Sequence, residues 1–553
     1  MLISIEINDK TFGDKLLYKN LNMDIQENEK IGLIGRNGTG KSTLFNIING
    51  EDKDYDGKIV IKSGTILVSS RQEHHGHEEK TVLEYIQGDL PEYSHLVHII
   101  DNFPKTMEDN PQKLQQFSDA LDRFGQLGYY QVEDEIKQAF DNYQIDSSKI
   151  HQPFNSLSGG EKRMVELIKV QHSPAHIALV DEPTNHMDYV AKLEFIKWLQ
   201  SAKEAILVIT HDRDVLSNVD RIIEIRDQHS FSFKGNYESY LKINTNQVTS
   251  QINEYELTQR RITNLEEDVI RFRRLKEKSR DPGTIRRFKS QENKAQEELK
   301  VLRNNVKPSF WIDQESANGI NNKLMSAYEK HKAQNIRLTT HKKQDSKSYR
   351  ALVKVDHLSL GYNNNPLFQD INFIVREGER IRLHSRNGTG KSTIVKAIMA
   401  TNNNLAMTSQ CLAGNIVIEK TVRIGHYEQE INPKYLNMTL YDALEATLRE
   451  KGMPITEQKI KQLMGDYLFN PMSDGHIEVM RLSGGQKARI QLISMLINDP
   501  ELLILDEPTN HLDLPSIEEL ENSMANYHGA IIYISHDSFF SKKMGGETIA
   551  INP

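Results

Sequence analysis

Hydrophobic positions alternate at the start of the chain (Ile3, Ile5 and Ile7, beside Leu2), the two-residue period of a half-buried strand. A short apolar segment, Ile31, Leu33 and Ile34, then enters a glycine-rich stretch. A helix-like pattern leaves it through Leu44, Phe45, Ile47 and Ile48. Three more continuous apolar runs end at Val68, Val180 and Ile209. Runs this short and unbroken predict buried parallel strands, and open parallel sheets bind ligands at the carboxyl ends of their strands. Those ends carry Asp181 and Glu182 after the second run and His211 after the third. From about Pro91 to Gly128 the pattern is polar and helix-compatible, an insert in an otherwise alternating order of strand and helix.

Residues 237–350 follow another rule. Ile262, Leu265, Val269 and Phe272 are spaced 3-4-3, and Ala295, Leu299 and Leu302 continue a narrow apolar seam. Such a stripe predicts helices paired along one edge. Breaks at Asp281 to Gly283 and at Asn304 to Pro308 are both candidate hairpin tips.

Beyond residue 350 the first pattern returns. Arg36 to Thr43 recurs letter for letter at Arg386 to Thr393. Gln429 answers Gln72, Leu482 to Gln486 answers Leu157 to Glu161, Asp506 and Glu507 answer Asp181 and Glu182, and His536 answers His211. Ser158 to Glu182 and Ser483 to Glu507 are both 24 residues, and Glu to His is 29 in both copies. Gln72 to Ser158 is 86 residues but Gln429 to Ser483 is 54, so the first copy carries 32 extra residues, placed at 90–125. The predicted architecture is α/β: one domain over 1–236, a long α-helical hairpin linker over 237–350, and a second copy over 351–553.

The repeated stretches carry phosphate chemistry. Gly35, Arg36, Asn37, Gly38, Thr39, Gly40, Lys41, Ser42 and Thr43 fill the pattern G-x-x-x-x-G-K-[ST], a P-loop whose backbone N–H groups cradle phosphates while its Lys reaches the β- and γ-phosphates. Ser385, Arg386, Asn387, Gly388, Thr389, Gly390, Lys391, Ser392 and Thr393 form the second loop, with Ser in place of the leading Gly. Asp181 and Asp506 end their strands where a carboxylate can hold Mg²⁺ together with Ser42 and Ser392. Glu182 and Glu507 are placed to polarise a water attacking the γ-phosphate, and His211 and His536 to contact that phosphate. Ser158-Gly159-Gly160 and Ser483-Gly484-Gly485 each open a helix-like run, a second anion-binding helix N-terminus per copy. One domain has no need of two. Each signature is therefore expected to face the loop of the other copy, Lys41 with Ser483 and Lys391 with Ser158, with two nucleotides sandwiched inside one monomeric chain. Phe12 and Tyr362, each 29 residues before its Lys, are candidates for stacking on adenine or for plain core packing. His74, His75 and His77 cluster without an acid or Cys at ligand spacing.

Composition narrows the class. At 553 residues the chain is too long for one domain. A single cysteine, Cys411, excludes an internal disulfide, an all-cysteine zinc site and a cysteine-ligated iron–sulfur cluster. No apolar run approaches the roughly 18 residues of a membrane helix, and the N-terminus lacks signal-peptide features, so a cytoplasmic location is expected. The net charge of −8 weighs against a nucleic-acid partner, yet Asn236 to Arg350 holds 24 Lys/Arg against 15 Asp/Glu. Its most basic run contains Arg271, Arg273, Arg274, Arg280, Arg286 and Arg287, candidates for RNA phosphate contacts. Phe310 and Trp311 follow, a pair that suits stacking on RNA bases. The alternative is a solvated coiled coil with both aromatics docked on a domain.

Taken together, Gly35 to Thr43, Gln72, Leu157 to Glu161, Asp181 to His186, His211 and their second-half partners resemble the ATP-binding cassette (ABC) superfamily over nearly the whole chain. Paired cassettes, the sequence Asp-Glu-Pro-Thr-Asn-His in both, the exit Phe233 to Tyr237 and a basic helical linker are similar to the F subfamily, ABC-F. The resemblance implies an ATPase using ATP and Mg²⁺, with Gln72 and Gln429 joining the metal site. It implies a translation factor that binds the ribosomal E site when ATP closes the cassettes and contacts ribosomal proteins there. Its linker would extend towards the P-site tRNA and the peptidyl-transferase centre of 23S rRNA, with no membrane or DNA partner. The 32 extra residues resemble a short form of the subfamily's arm. The linker, 114 residues long, and Lys307 to Asp313 resemble the antibiotic-resistance members that protect ribosomes from lincosamides, streptogramins A and pleuromutilins. A housekeeping factor that relieves stalled ribosomes is the alternative, and the ATPase subunit of a membrane transporter a more distant one. Ser385 departs from the family's usual Gly.

Overall fold

The computed structural model describes residues 1–13, 15–70, 79–103, 111–185, 187–303, 311–313, 328, 336, 350–362, 365–403, 405–407, 409–428 and 430–551. They form two compact units, Met1–Tyr237 with Asn335–Pro553, and Glu238–Gln334.

The first unit contains two α/β halves built alike. The first half has β1 (Ile3–Phe12), β2 (Lys15–Ile25), β3 (Lys30–Gly35), β4 (Asp56–Ile61), β5 (Leu67–Ser69), β6 (Ile177–Asp181), β7 (Ala205–Ile209), β8 (Arg221–Arg226) and β9 (His229–Lys234). A three-stranded antiparallel sheet runs β2-β1-β4, and the central sheet runs β5-β6-β7-β3-β8-β9. The alternation read at the N-terminus is real: Ile3, Ile5 and Ile7 are fully buried while Glu6 and Asn8 face out. By contrast β6 and β7 are buried at every position, because both faces of the central sheet are covered. Apolar residues of both sheets meet Leu44, Phe45, Ile47 and Ile48 of the helix Lys41–Ile48 in one core.

The second half repeats the plan with β10 (Ala351–Tyr362), β11 (Asn365–Arg376), β12 (Arg380–His384), β13 (Gln410–Ile418), β14 (Ile424–Tyr427), β15 (Leu502–Asp506), β16 (Ala530–Ile534) and β17 (Glu547–Ala550). Here the sheets run β11-β10-β13 and β14-β15-β16-β12-β17. In both halves the P-loop strand sits inside the sheet, and Asp181, Asp506, His211 and His536 stand at carboxyl strand ends. The insert of the first half is helical, Tyr93–Asn102 and Pro111–Gln126. Its rings close on one another: Phe103 stacks on Phe117 at 4.6 Å and Tyr93 lies 5.6 Å from Phe124.

The second unit is a helical hairpin. Helix Tyr237–Lys278 turns at residues 279–281 into helix Pro282–Arg303, and Asp281 caps the second helix through the Thr284 amide (2.7 Å). The break at Asp281 is thus a tip, while Asn304 to Pro308 lies outside the described residues. Leu265 and Ala295 are buried in the seam, Phe272 stacks near Phe288, and Arg261 pairs with Glu298 across it at 2.8 Å. One expectation is overturned. Trp311 does not stand beside the basic run, since its carbonyl accepts from Asn244 (3.0 Å) and its neighbour Ile312 packs with Val248, Ile252 and Tyr328. Asn244 and the turn at Ser279 are 35 residues apart on one helix and its end, roughly 50 Å at 1.5 Å per residue. The second helix carries the chain back towards the base of the hairpin, so nearness in sequence misleads. Phe310 lies outside the described residues.

Candidate functional site

The two glycine-rich loops close their strands in the same way. Lys41 Nζ donates to the carbonyls of Gly35 (2.7 Å) and Arg36 (3.3 Å), and Lys391 Nζ to those of Ser385 and Arg386 (2.8 Å each). Burial lowers the pKa of each ammonium, opposed by the facing Glu182 or Glu507. Gly38, Gly40, Gly388 and Gly390 all adopt left-handed backbone, φ between 78° and 98°. Thr39 and Thr389 each donate to the carbonyl of Arg36 or Arg386 at 2.9 Å, while Thr43 and Thr393 lie in the first turns of the helices. At Gly35 a Cβ would stand 2.7 Å from the Ile225 carbonyl. Ser385 keeps a negative φ in the corresponding place and turns its hydroxyl onto Thr389, so the departure from Gly leaves the reach of Lys391 intact.

Ser42 Oγ donates to Asp181 Oδ2 at 3.0 Å, and Ser392 bonds Asp506 likewise. A hydroxyl and a carboxylate at the mouth of a P-loop are hard oxygen donors, which fits Mg²⁺. Gln72, Gln429 and the cluster His74, His75 and His77 lie outside the described residues.

Glu182 and Glu507 share an unusual backbone, φ 46° and 50°, held by their amides on the carbonyls of Ile209 (2.8 Å) and Ile534 (3.0 Å). Non-glycine residues in that region cost of order 1–3 kcal/mol, and such strain concentrates at functional sites. Burial, and then the adjacent Asp, push Glu182 up to about 8 and Glu507 up to about 7. His211 Nε2 lies 3.7 Å from Glu182 Oε1, and His536 Nε2 lies 3.5 Å from Glu507 Oε1. Burial, and then Lys41 or Lys391, pull both imidazoles down to about 3. They are neutral at pH 7, polar neighbours of the carboxyls and not ionic partners.

The halves meet loop to signature. The Asn37 amide donates to Asp513 Oδ2 (3.1 Å) and Asn37 Nδ2 to the His511 carbonyl (2.9 Å), while a Cβ on Gly485 would stand 2.0 Å from Asn37 Nδ2. In mirror fashion the Asn387 amide donates to Asp188 Oδ2 at 3.2 Å. Gly159 and Gly160 line one cavity of about 530 Å³ with Asn387, Gly388, Lys391 and Glu507. Ser158 and Ser483 cap their own helices, Gly159–His172 and Gly484–Leu496, by accepting from the amides of Glu161 and Gln486. Phe12 (70 % exposed) and Tyr362 (45 %) are not core residues, and Tyr362 lines that cavity.

Sequence reading passed over Asp188 and Asp513. Each caps the next helix with Oδ1, through Ala191 N (2.9 Å) or Ser516 N (3.1 Å), while Oδ2 receives the opposite loop. The signal was their recurrence six residues after each Glu. It also passed over a cluster without a mirror. Lys192, between Asp212 (3.1 Å) and Asp214 (2.8 Å), donates to the His536 carbonyl, and Arg213 pairs with Glu521 and with Asp537 (3.2 Å). The equivalent positions of the second half hold Ile517 and Ser538. In the hairpin Arg271, Arg273, Arg274, Arg280, Arg286 and Arg287 are all exposed near the turn, though Arg273 reaches Glu292 at 3.3 Å.

Comparison with known proteins adds the following. The family pattern described as ABC transporter matches twice, at residues 18–185 and 368–510. Relatives at 25–29% identity align over essentially the whole chain. Among them are ribosome protection protein VmlR of Bacillus subtilis, 25% identical over 100% of this chain and 86% of its own length, and ABC transporter F family member 2 of Arabidopsis thaliana, 27% identical over 99% and 76%. Among solved structures, the complex of the archaeal ribosome recycling factor aABCE1 with the stalk protein aP1 shares the fold, with a TM-score of 0.55 at 15% identity, over 99% of this chain and 87% of that one. Among the described residues no helix is long and apolar enough to cross a membrane.

Proposed function

The chain belongs to the ABC transporter family, and from that premise we propose that it is an ATPase acting on the ribosome, its two cassettes clasping two ATP molecules and so presenting the basic hairpin to RNA. The observation that carries this reading is the reciprocal contact of each P-loop with the aspartate and signature of the other half. The relative named a ribosome protection protein supports the ribosomal partner. The finer reading is binding at the E site, with the hairpin directed at the P-site tRNA and the peptidyl-transferase centre. There it protects against lincosamides, streptogramins A and pleuromutilins.

In each site the loop amides and Lys41 or Lys391 hold the phosphates, and the opposite signature helix, opened by Ser483 or Ser158, contributes its N-terminal amides. Ser42 with Asp181, and Ser392 with Asp506, would hold Mg²⁺, with Gln72 and Gln429 as further ligands; bound there the ion neutralises charge on the phosphate oxygens. Glu182 and Glu507 accept the proton of the attacking water. Their raised pKa values bring them near working pH, where a base combines ionisation with proton affinity. His211 and His536, neutral, orient that water and the γ-phosphate by hydrogen bonds. Hydrolysis removes the phosphate that holds loop to signature, and the clasp opens.

The test is Glu182→Gln with Glu507→Gln. ATP still binds, hydrolysis stops, and the chain cosediments with 70S ribosomes in ATP but not in ADP. A double variant that binds ATP yet never sediments with ribosomes overturns the ribosomal reading. Unchanged inhibitory concentrations of the three drug classes on expression in a sensitive bacterium would overturn the protective one.

A further inference from the structure

The halves differ where the P-loop strand faces the segment after the strand-end histidine. In the first half β3 carries Gly32 and Ile34, and a Cβ on Gly32 would stand 2.6 Å from Leu216 Cδ2. Ile34 and Leu216 are buried, so hydrocarbon fills that space. The equivalent positions, counted from Lys391 and His536, are Arg382, His384 and Ser541. Alternation along β12 sends Ile381 and Leu383 into the core and Arg382 and His384 to the other face.

A cavity of about 410 Å³ opens there, lined by Arg382, His384, His536, Ser541 and Lys542, with Tyr189 from the first half. Its described lining contains no carboxylate. Arg382 Nη2 is fixed on the Ser535 carbonyl (3.0 Å), but Arg382 Nε, Ser541 Oγ and both ring nitrogens of His536 are buried without a hydrogen-bond partner among the described residues. Ser541 is 8 % exposed. A buried polar group left idle destabilises the fold. The cavity itself is lined by the guanidinium of Arg382 and the ammonium of Lys542, cationic groups that bind phosphate, and so fits an oxyanion. His536 also lines the larger cavity that holds Lys391 and Glu507, so the two spaces share that residue.

We propose that this cavity is an inorganic-phosphate site peculiar to the second half, filled by phosphate leaving Glu507 past His536 or by the same anion from solvent. The product source rests on the reading of Lys391 and Glu507 as an ATP-hydrolysing site, whereas the pocket itself does not.

Equilibrium dialysis of the nucleotide-free full chain against radiolabelled phosphate tests the pocket. One saturable site is expected. Arg382→Gly with Ser541→Leu restores the filling that the first half already tolerates, and should weaken binding by about tenfold or more, as for lost charge-assisted hydrogen bonds. Lys542→Gln alters an exposed side chain, so folding is preserved, and should weaken binding several-fold. No saturable binding in the parent chain overturns the proposal. So does binding that both variants retain, or that only Lys391→Ala abolishes. The two sources are separated in Glu182→Gln, where only the second site turns over. A lag between ATP cleavage and phosphate release, shortened in the double variant, marks the product. Absence of a lag, with added phosphate slowing turnover only when Arg382 and Ser541 are present, marks the solvent. If neither behaviour is seen, a role in turnover is overturned. If Glu182→Gln cleaves no ATP, the reading of Glu507 fails while the dialysis still decides the pocket.

Discussion

Gly485→Ala separates the stability of the second cassette from its closure on the first, because one methyl group acts on the two with opposite sign. Gly485 lies in the first turn of helix Gly484–Leu496 with a negative φ, so Ala is tolerated and gains up to about 1 kcal/mol of helix propensity. Across the interface the same methyl would stand 2.0 Å from Asn37 Nδ2 and 2.8 Å from Asn37 Cγ, and within its own half 3.1 Å from the His511 carbonyl. Asn37 can yield only by giving up its 2.9 Å bond to that carbonyl, about 0.5–1.5 kcal/mol, on top of about 1–3 kcal/mol for overpacking. Closure should therefore weaken by about 1.5–4.5 kcal/mol, roughly 10- to 2000-fold.

The assay pairs thermal unfolding with steady-state ATP hydrolysis, and with distance labels on the two cassettes in the Glu182→Gln, Glu507→Gln background. The variant should melt no lower than the parent, hydrolyse ATP at about a tenth of its rate or less, and close only at higher ATP. Gly465→Ala in helix Glu457–Asp466 is the control, since a Cβ there meets nothing within 4 Å. Hydrolysis by Gly485→Ala within twofold of the parent would show that the Asn37–Gly485 approach plays no part in the working state, and the clasp argument would fall.

The raised carboxyls give a pH prediction: kcat/KM should rise with a midpoint near 8 when only Glu182 remains (Glu507→Gln) and near 7 when only Glu507 remains, and identical midpoints would refute the difference in burial and charge. The same shifts lower stability as pH rises, because the folded carboxyls keep protons that unfolded ones release above about 4.5; urea titrations should show this loss spread between pH 4.5 and 8 and absent from the double Gln variant. Arg213→Met leaves Glu521 buried with a reduced counter-charge, about 3–5 kcal/mol, so the lowest melting transition should fall by about 6 °C or more, and an unchanged melt would mean that solvent relieves the cluster. Asp513→Asn keeps the helix cap but turns an amide towards the Asn37 N–H; ATP hydrolysis should drop about 10- to 100-fold without loss of melting temperature, and a matching loss of stability would make the residue a cap only. Arg274→Gln at the hairpin should flatten the salt dependence of ribosome binding by about one unit of slope, and a salt-independent loss would point to misfolding.

Much of this was legible in the letters because phosphate chemistry is local. A P-loop needs glycines and a Lys at fixed spacing within one turn of chain, and Gly38, Gly40 and Lys41 sit as that need dictates. The repeat supplied the plan of two halves, since one copy's order predicts the other's. What escaped were contacts made by residues distant in sequence. Asp188 and Asp513 look like ordinary helix caps until the opposite loop is in place, because only one carboxylate oxygen has a local partner. Trp311 was placed by proximity to a basic run, yet a hairpin returns residues adjacent in sequence to the far end of a long helix. Ser385 looked like a defect, and only its hydroxyl's contact with Thr389 shows how the turn absorbs it.

The matching and the differing positions lie in different layers of the same halves, and that decides what can be inferred from identical motifs. Loops, strand-end acids and histidines coincide in both sites, as do the two capping aspartates, so the interface is symmetric at its motifs. Around His536 the symmetry ends: Lys192 from the first half holds its carbonyl, Arg382 replaces Gly32, and Ser541 replaces Leu216. Of these, Lys192 lowers the Glu507 pKa, where Arg163 of its own half does the same for Glu182. Two sites with one alphabet therefore sit in two electrostatic settings. Under the proposed mechanism both lie on one interface, so hydrolysis at either would loosen the contact on which the other depends. Equal motifs thus do not require equal turnover.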